Sequence, residues 1–457
     1  MPKLRQVVSG TWRKFRPSGG ATDEAASSPV QSDIGTSSPP NGSTPAETAP
    51  TPPLSATDSP ADCSGADDST LVLPQTPSAM PELNAGVERD LLSHFIATTA
   101  SHLVRSSSSA TNPYLKYLLP LAFFDRSVMD AILSLSASQQ ESRHMVSTET
   151  TLRYQTKATK RLRSLLGSDE QRSSIVTLAT SLVLCMTELY AGSTDAWKQY
   201  LRGAKHIIEF SKKADTGIQK GGEMRFLMSL YCFLDSATTI STCRPPLTDR
   251  FKDDETADED SLQIYGIPQS LFHLLDRVNS LAYQRRTRVD DDSERAFRYS
   301  AQSVADAIDV QIDFGDLLDD AHSTEASHAS SAFKWAMRLR LAQVVEGYDA
   351  TNPAIVGSVH HILQEVDQVP EASPSQATLL FPLIMAAGAC LQDEHRAVIR
   401  TRLKSMKAQH GFGRIAAAQE LAERVWLYRD LEPFSSSGLP VNWAHVRYYE
   451  MHGLAVF

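Results

Sequence analysis

Apolar residues recur at helical spacing from Val87 to the end of the chain, and this period limits the fold more than any other feature. Spacings of three and four residues place side chains on one face of an α-helix, where they can pack against other helices. Alternating runs of β-branched residues, which are typical of strands, are nearly absent. The pattern predicts an all-α, multi-helix body over residues 86–457. Four stripes, each a set of apolar residues on one face of a predicted helix, support this prediction. They are Leu91, Leu92, Phe95, Ile96, Leu103 and Val104; Trp197, Leu201, Ala204, Ile207 and Ile208; Leu271, Leu274, Leu275, Val278, Leu281 and Ala282; and Leu421, Val425 and Trp426.

Residues 1–85 have a different composition, which predicts a long disordered tail. Over residues 17–84 there is no Lys, no Arg and no aromatic residue, and Ser, Thr, Pro, Ala and Gly dominate. Such a segment buries too little apolar area to offset the chain entropy lost on folding. Several Ser and Thr residues precede a proline, either as sites for proline-directed kinases or as a chance product of the composition: Ser28, Ser38, Thr44, Thr51, Ser59 and Thr76.

The first 16 residues are basic and contain no acid, and Trp12 and Phe15 lie among the charges. Such a cluster is a candidate for phosphate contact, for nuclear import or for the start of a mitochondrial presequence. An incidental basic terminus is the alternative. The candidate residues are Lys3, Arg5, Arg13, Lys14 and Arg16.

Charge and cysteine usage exclude several classes of protein. The chain has 44 Lys and Arg against 54 Asp and Glu, a formal charge of −10, which argues against non-specific binding to nucleic acid or to an anionic membrane. Its longest apolar stretch, residues 379–391, contains Pro382 and is shorter than the roughly 20 residues of a membrane span. The cysteines form no C-x-x-C pair, so we expect neither disulfides nor a zinc site in a reduced, intracellular protein.

Three segments interrupt the helical pattern. The first, near 244–262, has Pro245 and Pro246 followed by an acidic run, and the second, near 288–300, opens with the charged residues 290–294. Both are predicted as exposed polar loops. The third, Gly411-Phe412-Gly413, follows a helical segment and predicts its left-handed glycine cap rather than a phosphate-binding loop.

The sequence contains no recognised catalytic constellation. Asp253, Asp254 and Asp258 are similar to the Asp-rich magnesium motif of helical prenyl and terpene synthases, but the spacing is off by one and the flanks are polar. A helical metal-dependent lyase or synthase is therefore the weakest functional interpretation of the sequence. His360 and His361 are adjacent, so on a helix their side chains point about 100° apart and cannot share a metal ion. We expect no catalytic residue, no cofactor and no metal ion, and hence no enzyme.

Four segments of the predicted body form a recognisable series along the chain. They are Asn112-Pro113-Tyr114 through Leu118-Leu119-Pro120 to residues 128–137; Glu188-Leu189-Tyr190-Ala191-Gly192 with Trp197 and residues 201–208; Tyr265-Gly266-Ile267 with the stripe that begins at Leu271; and residues 380–388 with Val425-Trp426 and Val441-Asn442-Trp443. In this order they resemble the fungal-specific transcription factor domain, the helical region found behind Zn2Cys6 zinc clusters. The resemblance spans about residues 87–457.

The resemblance implies a nuclear regulator of RNA polymerase II transcription. Its helical domain is expected to act on other proteins of the transcription machinery. A small-molecule effector and a homodimer are further expectations, although the chain has no heptad seam of three or more repeats. No membrane partner is expected.

One departure from the family concerns DNA binding. The family usually carries six cysteines, in a C-x2-C-x6-C pattern and its partner, which hold two zinc ions and dock a helix in the major groove. Only Cys63 precedes Cys185 in this chain. Zinc-dependent DNA binding therefore carries over to none of its residues. DNA contact through a missing or separate module is one interpretation, and a helical interaction scaffold that does not bind DNA is the alternative.

Overall fold

Helices provide the regular secondary structure of every described segment, and no strand occurs in those segments. The computed structural model describes residues 86–104, 112–172, 174–192, 195–213, 221–247, 264–285, 288–318, 324–431, 440–452 and 454–455. The predicted all-α fold is confirmed for this part of the chain. The predicted tail, residues 1–85, lies outside the described residues.

The helices are numbered here in chain order. The first eight are α1 (Val87–His94, continued by a π-helical turn at Phe95–Thr99 and by Ala100–His102), α2 (Leu119–Phe124, preceded by the π-helical segment Tyr114–Leu118), α3 (Arg126–Ser142), α4 (Thr148–Gly167), α5 (Asp169–Arg172), α6 (Ile175–Ala191), α7 (Trp197–Lys213) and α8 (Gly222–Thr242). The others are α9 (Gln269–Gln284), α10 (Asp291–Leu318), α11 (Thr324–Val345), α12 (Pro353–Gln368), α13 (Leu380–Ala387, preceded by the 3-10 segment Pro374–Leu379), α14 (Asp393–His410), α15 (Gly413–Leu431) and α16 (Trp443–Glu450).

Polar side chains cap the starts of several helices, and glycines end two of them. The side chains of Ser147, Ser174 and Asn352 accept hydrogen bonds from backbone N–H groups in the first turns of α4, α6 and α12. Gly192 follows α6 and Gly411 follows α14, with left-handed φ values of 70° and 65°. The predicted glycine cap at Gly411 is therefore confirmed.

The polar segment near 288–300 is not a loop, which corrects the sequence-based prediction. From Asp291 onward it forms the first turns of α10. Asp290 Oδ1 accepts the N–H of Ser293 at 2.8 Å and Ser293 Oγ accepts the N–H of Asp290 at 3.2 Å, so the two side chains form a capping box. The acids that suggested a loop lie in the first turn, where the helix dipole stabilises negative charge. Phe297 then begins the buried face of the helix.

The other predicted loop is described only in part. Residues 244–247 are non-helical, and the N–H of Leu247 donates to Asp235 Oδ1 at 2.9 Å. Residues 248–263, which include Asp253, Asp254 and Asp258, lie outside the described residues.

Two central helices, α3 and α6, are buried on nearly every side. All residues from 127 to 140 and from 176 to 190 are buried. Helix α3 packs on α4 and α6, α6 packs on α7, and α11 packs on α10, α12 and α13. The four predicted stripes face this core, with Ile96 and Ala282 half-buried at its margin. The described residues belong to one compact unit, Glu82–Phe457.

The longest apolar stretch of the sequence forms part of the core. Every residue of α13 is buried, including Pro382 in its first turn, a position that proline tolerates because its missing N–H has no helical acceptor there. No helix in the described segments is long and apolar enough to cross a membrane.

Candidate functional site

A small cavity, lined mainly by apolar side chains, lies where α1 meets the turn between α14 and α15. It has room for about one water molecule. Ligand pockets for drug-sized molecules are far larger, on the order of 300–1,000 Å³. The lining residues are His102, Ala377, Leu380, Met406, His410, Phe412, Arg414 and Ile415.

Gln139 of α3 joins the two sides of this cavity. Its Oε1 accepts the hydroxyl of Thr99 at 2.7 Å and lies 3.3 Å from His94 Nε2, so both groups of α1 reach it. Its Nε2 donates to the backbone carbonyl of His410 at 2.6 Å and lies 2.8 Å from His102 Nδ1. Gln139 is fully buried. Since all four hydrogen-bonding positions of the amide are used, the side chain fixes α1 relative to the end of α14.

The three histidines around Gln139, which are His94, His102 and His410, differ in their contacts. The rings of His102 and His410 meet edge to face, with centroids 5.1 Å apart. Burial lowers the pKa of His94 below its ordinary value, and the nearby charge of Arg143 lowers that pKa further, although the hydrogen bond to Gln139 acts in the opposite direction. The neutral form of His94 is therefore the favoured form in the folded protein.

The turn between α14 and α15 is fixed by a close approach of two backbones. A Cβ atom added at Gly413 would lie 2.5 Å from the carbonyl oxygen of Ala191, and one added at Gly192 would lie 2.8 Å from Arg414 Cα. The end of α6 thus touches the start of α15 at two glycines. The guanidinium of Arg414 lies over the ring of Tyr190, 4.0 Å from its centroid.

The polar groups that line the cavity are cationic or basic. The lining holds one guanidinium and two imidazoles, and it contains no carboxylate and no hydroxyl or thiol nucleophile. A nucleophile with an adjacent base, which acyl or group transfer requires, is absent from the lining. The arrangement can hold a water molecule or a very small polar ligand between helices.

A second polar feature, the N-terminal ion cluster, holds α1 against α3 and α4. Its two acids, Glu88 and Asp130, are 1% and 0% exposed. Arg126 lies between them, with Nη2 2.7 Å from Glu88 Oε1 and Nε 3.0 Å from Asp130 Oδ1. Arg161 Nε lies 2.8 Å from Asp130 Oδ2, and Lys157 Nζ lies 3.6 Å from Glu88 Oε1. Burial of an ionised carboxylate is costly unless the charge is paired, and both acids are paired here.

The C-terminal anchor is formed by two side chains of α16, Trp443 and Arg447. The indole N–H of Trp443 donates to Gln343 Oε1 at 3.0 Å. Its ring lies against Gly388, where an added Cβ would be 2.6 Å from Trp443 Cδ1. Arg447, 2% exposed, donates to the carbonyl oxygens of Ser241 at 2.8 Å and of Leu454 at 2.6 Å.

Other buried arginines also bind the carboxyl ends of helices. Arg402 donates to the carbonyls of Val366 and Val369 at the end of α12. Arg429 donates to the carbonyls of Gly388 and Cys390 after α13. Cations at these positions satisfy orphan carbonyls and offset the negative end of the helix dipole. Charge inside this domain is therefore used largely to join helix ends.

Few of the sequence-predicted site residues fall in these features. The basic cluster Lys3, Arg5, Arg13, Lys14 and Arg16 lies outside the described residues. His360 and His361 are exposed, with ring centroids 6.0 Å apart, and His361 stacks on Trp335. Within the described segments, no three His, Cys, Asp or Glu side chains come together as a possible metal site.

The polar residues of the cavity, and Gln139 beside it, were not predicted as site residues from the sequence. Gln139 carries the clearest signal, since it follows a run of small and apolar residues that has no polar face, and a polar residue there has to be buried. His102, His410 and Arg414 have no local signal. Their positions depend on which helices meet, which neither spacing nor composition reveals.

Comparison with known families gives one result. The family model described as the fungal specific transcription factor domain matches residues 90–453, which is more than half of the chain. No curated protein and no solved structure matches the chain.

Proposed function

The chain belongs to the fungal specific transcription factor domain family, and from this membership we propose that it regulates RNA polymerase II transcription in the nucleus. Its helical body is the regulatory part. It acts by contact with other proteins of the transcription machinery rather than by catalysis.

The observation that carries this proposal is the family match over residues 90–453. The buried polar groups agree with a regulatory role, because Gln139, the N-terminal ion cluster and the C-terminal anchor all join one helix to another. A domain whose ends are held by such contacts can shift between two packed arrangements when a partner binds one of them better.

A tethering experiment tests the proposal. The full chain is fused to an unrelated sequence-specific DNA-binding domain and placed upstream of a reporter gene. We expect reporter transcription to rise or fall several-fold relative to the DNA-binding domain alone. The variant Arg126→Met, which breaks the N-terminal ion cluster, should lose the effect, and Gly357→Ala, which fills open space beside α12, should keep it. An unchanged reporter with a stably expressed fusion would refute a role in transcription.

DNA contact is proposed to come from a separate module. The sequence holds no six-cysteine pattern, and its formal charge is −10. That charge opposes non-specific contact with phosphates. Chromatin immunoprecipitation separates this idea from a helical scaffold that never reaches DNA. Discrete promoter peaks support the regulator, and their absence in cells that express the protein supports the scaffold.

Nuclear entry is proposed to depend on the basic residues Lys3, Arg5, Arg13, Lys14 and Arg16. Deleting residues 1–16 from a fluorescent fusion should move it to the cytoplasm. A deletion of residues 20–35, which has the same length and removes no basic residue, is the control. A fusion that stays nuclear without residues 1–16 would rule out this import signal.

A small-molecule effector and a homodimer remain parts of the proposal. The cavity beside Gln139 holds about one water molecule, so an effector there would have to displace the turn between α14 and α15. Equilibrium sedimentation of the full chain measures the oligomeric state directly. A single species of monomer mass at micromolar concentration would exclude the dimer.

A further inference from the structure

Cys243 differs from the other described cysteines in its surroundings. It follows α8 in a left-handed conformation, with φ of 48°, and it is half-buried. Cys185 and Cys390 are buried, and burial raises the pKa of both thiols above the ordinary value. A buried thiol of that kind is inert because it does not ionise.

The partner of Cys243 is a buried guanidinium. Arg340 Nη2 donates to Cys243 Sγ at 3.0 Å, and its Nη1 donates to the hydroxyl of Tyr348 at 2.7 Å. Arg340 is 1% exposed, and among the described residues no carboxylate forms an ion pair with it. In the described part of the chain, the positive charge of Arg340 therefore lies in the interior with a thiol and a phenol as its acidic contacts.

The same guanidinium has an unused donor. Arg340 Nε is buried and has no hydrogen-bond partner in the described part of the chain. Arg447 also lies at this end of α8, where it donates to the carbonyl of Ser241 at 2.8 Å and offsets the negative end of the helix dipole. The donors of Arg340 beside Cys243 thus suit an oxygen added to the sulfur, because such an oxygen can accept hydrogen bonds.

We propose that Cys243 is a site of reversible oxidation by peroxide, held and activated by Arg340. The sulfur attacks one oxygen of the peroxide, so that an S–O bond forms and the O–O bond breaks. The sulfur is oxidised by two electrons and the peroxide is reduced. The thiol proton ends on the departing oxygen, which leaves as water, and a sulfenic acid remains on Cys243. A thiol reductant restores the cysteine.

The contacts of Arg340 connect this site to the C-terminal anchor. Its guanidinium carbon lies 5.1 Å from the centroid of the Trp443 ring. Trp443 fixes α16 against Gly388 and Gln343. A hydrogen-bond acceptor added to Cys243 therefore acts on Arg340, the same cation that contacts Trp443.

The test uses the folded full chain, treated briefly with hydrogen peroxide and with dimedone, which traps sulfenic acid, and then analysed by peptide mass spectrometry. Cys232 is the internal reference, because it lies on α8, the helix that Cys243 follows, and is also half-buried. We expect Cys243 to be trapped at least about tenfold faster than Cys232, as activated cysteines are. Equal rates at the two positions would overturn the proposal, and so would an unreactive Cys243.

Two variants test the role of Arg340. Arg340→Met keeps a long side chain but removes the charge, and it should reduce trapping at Cys243 to the rate at Cys232. Tyr348→Phe removes only the phenol hydroxyl and should leave the fast rate in place. A fast Cys243 in folded Arg340→Met would contradict activation by the guanidinium. If Arg340→Met does not fold, the ratio of the two rates in the unmodified chain decides the proposal by itself.

Discussion

The two ends of the helical body are both held by buried charges, but the partners of those charges differ. At the N-terminal ion cluster, cations from α3 and α4 neutralise the carboxylates Glu88 and Asp130. At the C-terminal anchor, Arg447 binds backbone carbonyls and Trp443 fits against a glycine. The first end thus depends on charge balance, and the second depends on backbone acceptors and shape. A variant should therefore act on each end through a different mechanism.

The largest effect is expected from Arg126→Met. The change leaves Glu88 and Asp130 buried with one cation each, and breaking a buried ion pair typically costs about 3–5 kcal/mol. We expect the free energy of unfolding to fall by about 3 kcal/mol, measured by urea denaturation followed by circular dichroism.

Arg89→Met is the matched control for that variant. Arg89 lies in α1 beside Glu88 but is exposed. Its replacement should change stability by less than about 0.5 kcal/mol. If the two variants lose the same stability, the N-terminal end does not depend on charge balance.

Arg447→Met tests the other end. It breaks no direct ion pair among the described residues, although it removes a charge that attracts Asp195, and it removes the Arg447 donor from the carbonyls of Ser241 and Leu454. Losing hydrogen bonds to a charged group costs about 1.5–3 kcal/mol, so we expect a loss of about 2 kcal/mol. Hydrogen exchange should show the loss first at α16. Unchanged protection of α16 would mean that Arg447 does not anchor it.

Gly388→Ala tests shape alone. The new methyl group would lie 2.6 Å from Trp443 Cδ1, so the indole has to move. Overpacking of this kind costs about 1–3 kcal/mol, and we expect a loss near the lower end of that range in thermal unfolding.

Gly357→Ala is the opposite case on a neighbouring helix. Apart from the chain neighbours and the backbone of α12 itself, no heavy atom of the described residues lies within 4 Å of the added methyl group. Alanine is favoured over glycine inside a helix by about 0.5–1 kcal/mol. The Gly357 variant should therefore be more stable than the parent, while the Gly388 variant is less stable. Two losses of similar size would show that the contact with Trp443 is not the cause.

The smallest effect is the pH dependence that His94 adds at the N-terminal end. Because burial lowers the pKa of His94 in the folded state, folding favours the neutral ring. The stability that this preference contributes is fully present above the unfolded pKa of about 6.5. It is lost as the pH falls from there toward the pKa of His94 in the folded state. Urea denaturation at a series of pH values should show a smaller acid loss for His94→Gln than for the parent. His206→Gln, at an exposed position of α7, is the control for the chemical change from histidine to glutamine.

Local signals predicted most of the fold, and one segment shows where they were insufficient. The four stripes and the glycine cap at Gly411 were found because each depends on residues within a few positions of one another. The start of α10 was taken for a loop because an acidic first turn and an acidic loop have the same composition. The capping box of Asp290 and Ser293, together with the buried face that Phe297 begins, separates the two cases.

Local sequence signals did not predict the buried polar contacts. Gln139 reaches His410 across 271 residues of sequence, and Arg447 reaches Ser241 across 206. Neither pair has a spacing or a composition that marks it. Gly388 also looks ordinary in the sequence, because what restricts it is the Trp443 side chain from a distant helix.

The amino-acid sequence by itself determined the helical class, the glycine cap after α14 and the family resemblance, since a period of 3.6 residues and a cap are properties of neighbouring residues. Only the tertiary structure decided which buried charge meets which partner. Glu88 is neutralised by Arg126 and Lys157, and Arg340 lies against Cys243, because the packing of the whole helical body brings those helices together. Burial makes each of these pairings important for stability, because a charge removed from water needs a partner wherever the fold places it.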